Sequence, residues 1–216
     1  MRSVREKSYE YIESLLPAEN QQMSKSRSAA ETVGLSQISL SATEGQMLKF
    51  MMSLVMPKKI VEIGTLTGLS ANYFLSVLPK DGKIWTLEKS EKHAQLAEAA
   101  INDDRCQIVL GDALENLPKL DQEGPFDIIF IDGNKAAYLK YFDWALANIK
   151  KGGLIIADNV FLAGAVWGAV TTQKFNDKQI EAVRTMNKKA FTESNLVSVV
   201  IPTTEGMLIS HKMNET

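Results

Sequence analysis

The chain has 216 residues, 45% of them hydrophobic, with 24 Lys+Arg against 26 Asp+Glu and a net charge of −2. That length suits one α/β domain better than two small ones, and the composition is that of an ordinary globular protein with a sizeable core. The near balance of charge argues against a broad electrostatic grip on nucleic acid. The single cysteine, Cys106, excludes an intrachain disulfide and suits a reducing cytoplasm.

The N-terminal run MRSVREKSYEYIESLLP sets acids among its apolar positions, so it reads as an amphipathic helix rather than a signal peptide. Residues 18–41 are polar and serine-rich (Ser24, Ser26, Ser28, Ser36, Ser39), which predicts a loop-rich, mobile cover on the substrate side. Thr43 precedes a helix to about Val55, with Pro57 beyond its end. Met47, Leu48, Met51, Met52 and Val55 recur there at helical spacing, as a core face does. Residues 1–56 thus read as N-terminal helices and cover, and 57–216 as a ligand-binding core, in one domain spanning 1–216. The longest apolar run, Val160 to Val170, has eleven residues and two glycines. A bilayer span needs about twenty, so no transmembrane segment is expected.

From residue 59 onward short β-branched runs alternate with helical segments. The runs are Lys59–Ile63, Lys83–Leu87, Gln107–Leu110, Asp127–Ile131 and Leu154–Ala157, with a short helical piece at 112–118. This βαβ pattern predicts a parallel sheet with helices on both faces. Two last runs, Leu196–Ile201 and Gly206–His211, are joined by only Pro202–Glu205, which permits an antiparallel hairpin and no parallel crossover. The expected fold is a mostly parallel seven-stranded α/β sheet closed by an antiparallel C-terminal hairpin.

Ligands of such sheets bind at the carboxyl ends of the strands. The first strand leads into Gly64-Thr65-Leu66-Thr67-Gly68-Leu69-Ser70, a tight turn into a helix whose free N–H groups suit an anion. Its G-x-x-x-G spacing is not the G-x-G-x-x-G that seats a dinucleotide pyrophosphate. Acids at three successive strand ends, Glu62, Glu88 and Asp112, suit an ammonium, a ribose and an adenine, with no phosphate. Singly, each acid would more simply cap a helix or face solvent.

The fourth and fifth strands deliver Asp132, and then Asp158 with Asn159, to one sheet edge. Two carboxylates and an amide form an oxygen-only set that suits Mg²⁺ or Ca²⁺. An isolated Asp-Asn pair also starts turns.

Together the stretches QISLSATEGQ (37–46), VEIGTLTGLS (61–70), IWTLEKS (84–90), GDALENLP (111–118), FDIIFIDGNKAAY (126–138), KKGGLIIADNV (150–160) and IPTTEGMLIS (201–210) resemble the cation-dependent O-methyltransferases. That group includes catechol and caffeoyl-CoA O-methyltransferases, and the likeness covers nearly the whole chain beyond the N-terminal helix. It implies a Rossmann-like fold and S-adenosyl-L-methionine as co-substrate. It implies a divalent cation, Mg²⁺ first with Mn²⁺ or Ca²⁺ as alternatives, and a homodimer. The acceptor would be a hydroxyl of a small phenolic compound such as a vicinal diol. By this resemblance Ile38, Glu62, Gly64, Thr65, Gly68, Ser70, Glu88, Asp112, Ala113 and Asp132 bind the cofactor. Asp132, Asp158 and Asn159 hold the metal, and Lys135 is the catalytic base, a like charge nearby disfavouring its ammonium form. The chain departs from the pattern in Gly133-Asn134, in Leu162 where plant members carry a tryptophan, and in Thr204-Glu205-Gly206. Leu162 argues against an acyl-CoA ester. Rival expectations are a tRNA hydroxyuridine O-methyltransferase, with Lys25 and Arg27 as local basic groups, a cofactor-binding protein without catalysis, and a nicotinamide oxidoreductase.

Overall fold

The computed structural model describes residues 4–213, so the first three residues of the amphipathic helix lie outside the described residues. Eight α-helices are described: α1 Val4–Leu15, α2 Gln21–Thr32, α3 Ala42–Val55, α4 Leu69–Leu75, α5 Glu91–Ile101, α6 Ala113–Asn116, α7 Tyr138–Asn148 and α8 Asp177–Thr192. The strands are β1 Lys59–Ile63, β2 Lys83–Glu88, β3 Cys106–Leu110, β4 Phe126–Ile131, β5 Ile149–Ala157, β6 Leu196–Ile201 and β7 Met207–Lys212. They form one seven-stranded sheet in the order β3-β2-β1-β4-β5-β7-β6. The first five are parallel, β7 runs antiparallel to β5, and β6 antiparallel to β7. The hairpin and the mainly parallel sheet are those the sequence predicts. β5 is longer than its β-branched run, reaching back past Gly152 (φ 79°) to Ile149, where the register with β4 is irregular.

Alternation along the strands fills two cores, one on each face. Val61, Ile129, Ile131 and Ile155 face α7 and α8, packing with Tyr138, Phe142, Val183 and Met186. Ile60, Ile128, Phe130 and Ile156 face the other way, onto Leu48, Met52 and Phe74 of α3 and α4. The methionine stripe of α3 is therefore largely core, with Met51 and Met52 buried.

Residues 18–41 do not form the loop-rich stretch the sequence predicts, because α2 occupies their middle. Asn20 caps it, its side chain accepting from the Met23 N–H at 2.9 Å. Met23, Ser26 and Ala30 lie buried on one face. A stripe of one methionine and two small residues is too weak to register as apolar periodicity, and close packing is what makes it work. α3 opens on a capping box, in which Ser41 and Glu44 satisfy each other's backbone N–H. Among the described residues no helix is long and apolar enough to cross a membrane.

Candidate active site

Strand order reverses between β1 and β4, and a crevice opens at their carboxyl ends. A cavity of about 1090 Å³ lies there, lined from Tyr9 and Glu13 of α1 through Gln37–Ser41 and the strand ends to Phe175 and Glu205. That is room for a cofactor and a small acceptor together.

Gly64 has φ 103°, and a Cβ there would lie 2.1 Å from the Asp132 carbonyl oxygen, so the β1 turn and the end of β4 meet at a position only glycine fits. Glu88, ending β2, accepts from the Leu66 N–H at 2.9 Å and the Ser90 N–H at 2.8 Å, which fixes its carboxylate at the cavity wall. Asp112 caps α6 through the Leu114 N–H at 2.9 Å and pairs with Lys89 at 2.9 Å. It is a cap and also a cavity residue, next to Ala113. Ile38 faces both the cavity and the narrow crevice beneath it, which Thr65 and Ser70 line. Gly68 begins α4 and packs on Ile101.

Glu62 departs from its expected place. It is the residue before the last in β1, in register with Thr86, and wholly buried. Ser70 and Thr86 hydroxyls donate to its two oxygens, with Thr86 at 2.5 Å. Burial pushes its carboxyl up to about 7, with those donors pulling down and the Asp132 and Glu88 charges adding to the rise. It lies under the crevice and does not line the cavity.

β4 and β5 pair Ile131 with Ala157, so Asp132 and Asp158 leave the sheet side by side. Lys135 Nζ donates to Asp132 Oδ1 at 2.9 Å, to Asn159 Oδ1 at 2.8 Å and to the Tyr138 hydroxyl. Two of the three proposed ligand oxygens therefore already converge on one cationic centre. Asp158 is buried, and burial with the Asp132 and Glu44 charges drives its carboxyl well above the usual range, against the pull of Lys135. A hard cation suits such a set, since it would offset the repulsion that raises Asp158. Among the described residues no three His, Cys, Asp or Glu side chains cluster as ligands; here the set is two carboxylates and an amide.

Sequence reasoning missed Tyr138, whose hydroxyl also donates to the Asp158 carbonyl at 3.0 Å, and whose phenol burial keeps protonated. Its spacing of three from Lys135 at a helix start was a usable signal. Glu44 and Glu205 also line the cavity, and Glu205 accepts from the Ala163 N–H at 2.8 Å. Arg27, expected as a local basic group, is engaged by Glu19 through its Nε and Nη2, both at 2.6 Å.

The sequence profile of the O-methyltransferase family matches residues 13–213. The chain belongs to that family. This methyltransferase is 38% identical to a catechol O-methyltransferase of Niastella koreensis over 169 residues, 76% of each chain. It is 31% identical to one of Mycobacterium tuberculosis, over 72% of each. Among solved structures it resembles the O-methyltransferase TomG of Streptomyces achromogenes in complex with SAM (29% identity, TM-score 0.84, covering 94% of this chain and 95% of that one). It also resembles the Bacillus cereus O-methyltransferase in complex with SAH (28%, TM-score 0.84, 94% and 96%). The methyltransferase is thus an enzyme that uses S-adenosylmethionine, as its sequence patterns imply.

Proposed function

We propose that this enzyme methylates a hydroxyl of a small aromatic vicinal diol, with a divalent cation held by Asp132, Asp158 and Asn159. The observation that carries this reading is the convergence of Asp132 and Asn159 oxygens on one positive charge, the Lys135 ammonium, with buried Asp158 behind them. Two relatives named catechol O-methyltransferase support the acceptor class.

Methyl transfer from a sulfonium to oxygen is an in-line displacement, so alignment dominates. Glu88 and Asp112 orient the ribose and adenine, and the Gly64 turn lets the backbone approach the methionine end. A phenol with pKa ~10 is mostly protonated at neutral pH. When bound, a divalent cation supplies positive charge beside the acceptor oxygen and so favours its ionised form. Lys135, as the neutral amine, would take the hydroxyl proton at Nζ and become the ammonium that donates to Asp132 and Asn159, and Tyr138 holds the lysine in position. Leu162 and Phe175 form an apolar wall for the acceptor ring and limit entry of water.

Residues 57–216 act as the cofactor core and 1–56 as its acceptor-side cover, in a cytoplasmic homodimer. Exposed Val197 and Val199 on edge strand β6, with Phe50 and Leu54 on α3, support a contact between copies. A tRNA acceptor is disfavoured, because Glu13, Glu44 and Glu205 line the cavity and Arg27 is already paired.

The test is turnover of catechols, flavonoids and hydroxylated tRNA with labelled cofactor, with and without EDTA. Chelation is expected to abolish activity on the diols, and Mg²⁺ or Mn²⁺ to restore it. Asp158→Ala is expected to behave like chelation while still binding cofactor. Full activity in EDTA, or in Asp158→Ala, would overturn the metal reading.

A further inference from the structure

Helix α2 touches both walls of the crevice beneath the cavity, through two consecutive residues. Ser26 grips the glycine turn. Its carbonyl accepts from Thr67 Oγ1 at 2.8 Å, and its hydroxyl from Asn72 Nδ2 at 3.0 Å. Arg27 grips the opposite wall, its Nη1 donating to the Leu40 carbonyl at 3.1 Å. Leu40 belongs to the strap of Ile38, Ser39 and Leu40 that faces Gly64, Thr65 and Ser70 across the crevice.

The strap is anchored at its C-terminal end, where Leu40 is buried in the core and Ser41 opens the capping box of α3, and is only lightly tied before it. Its backbone makes one short 3-10 turn, with N–H···O contacts of 3.2 Å from Ile38 and from Ser39. The guanidinium is by contrast well anchored, since both its Nε and Nη2 donate to Glu19, which also accepts from the Tyr73 hydroxyl of α4. A planar fork can satisfy a carboxylate along one edge and still aim another donor elsewhere, which a lysine ammonium on a flexible stem does poorly.

We infer that Arg27 is a positioning residue for the cofactor: the chain Glu19–Arg27–Leu40 sets the gap between strap and glycine turn, and thus how closely the methionine end of S-adenosylmethionine is enclosed. This rests on the reading above, in which the strand ends at Gly64 and Glu88 take the cofactor. Without Arg27 the strap loosens, while buried Met23, Ser26 and Ala30 still dock α2. Substrate and product forms of the cofactor both bind more weakly. Among the described residues Glu19, Arg27 and Leu40 make no hydrogen bond to Lys135 or Asp132, so the base keeps its place.

The test is titration calorimetry of S-adenosylmethionine and S-adenosylhomocysteine, with steady-state kinetics, on Arg27→Met, Arg27→Lys, Glu19→Gln and the control Glu88→Ala. Arg27→Met is expected to weaken both ligands about tenfold, with kcat at saturating cofactor kept within about threefold, the loss typical of one charge-assisted hydrogen bond. Arg27→Lys is expected to fall between it and the parent. If Arg27→Met does not fold, Glu19→Gln, which weakens the anchor, is expected to show the same split between KM and kcat. Unchanged cofactor affinity in Arg27→Met, with affinity lost in Glu88→Ala, would overturn this inference and leave the cofactor reading standing. Unchanged affinity in Glu88→Ala would overturn both. A fall in kcat as large as the fall in affinity would make Arg27 a structural residue only, and would also overturn it.

Discussion

Lys135 spends its three N–H donors on Asp132, Asn159 and Tyr138, so at residue scale its removal frees two acid-site oxygens as well as deleting a base. Lys135→Ala is expected to lower kcat by ~10²–10⁴, the usual worth of general-base catalysis. Cofactor affinity should hold, and some rate should return at higher pH, where the acceptor ionises unaided. A pH–rate profile with calorimetry checks this, and a variant as slow at pH 9.5 as at pH 7 would count against a base. Glu62 gives a different expectation. Its carboxyl is raised from the ordinary 4.5 to about 7, so the folded chain holds a proton that the unfolded chain releases. The resulting stabilisation is complete below pH 4.5 and lost as pH rises through about 7. Glu62→Gln keeps the neutral shape at every pH, so without cofactor it should match the parent at pH 4.5 and exceed it at pH 8 by ~2 kcal/mol. Denaturant unfolding at the two pH values measures this gap, and a gap independent of pH would refute the account.

At the scale of elements, the sheet is pinned at the edge opposite the cavity by Asp127 of β4. Its Oδ2 accepts the Lys58 and Lys59 N–H groups at the start of β1, at 2.8 and 2.7 Å, and Lys150 of β5 pairs with its other oxygen. Burial opposes ionisation, but Lys150 and those two N–H groups outweigh it and hold the carboxyl below its usual value. Its contribution is therefore present above the unfolded value of about 3.9 and is lost as pH falls through the lower folded value. Asp127→Asn should cost ~1–3 kcal/mol at pH 7, with the gap to the parent closing in acid, and kcat should be unchanged because the site lies at the other strand ends. Urea midpoints at pH 7 and pH 2 with a kinetic assay at pH 7 check all three outcomes. β4 announces itself with six consecutive buried residues, whereas α2 is held by a cap and by hydrogen bonds from Thr67 and Asn72, contacts that no local pattern encodes.

For the whole molecule, the assembly prediction follows from what the fold leaves uncovered. Val197 and Val199 stand 59% and 51% exposed on a strand whose outer edge has no neighbour in the sheet, and Phe50 and Leu54 are 62% and 67% exposed. Light scattering is expected to report about twice the chain mass of 23.9 kDa, and Val199→Lys to shift it toward the monomer. A parent that scatters as a monomer would dispose of the homodimer.

The sequence by itself determined the strands, their parallel run, the closing hairpin and the strand-end residues Glu88, Asp112, Asp132, Asp158 and Asn159, because alternation and loop length are local quantities. It could not tell that Glu62, one position short of a strand end, points into the core, since a shift of one residue reverses the face a side chain takes. Nor could it say that a serine-rich segment docks as a helix on Thr67 and Asn72, that Asn159 reaches Lys135, or that Arg27 spans to Leu40. Each of those depends on partners from 13 to 46 residues away, and only the packed sheet brings them within hydrogen-bonding reach.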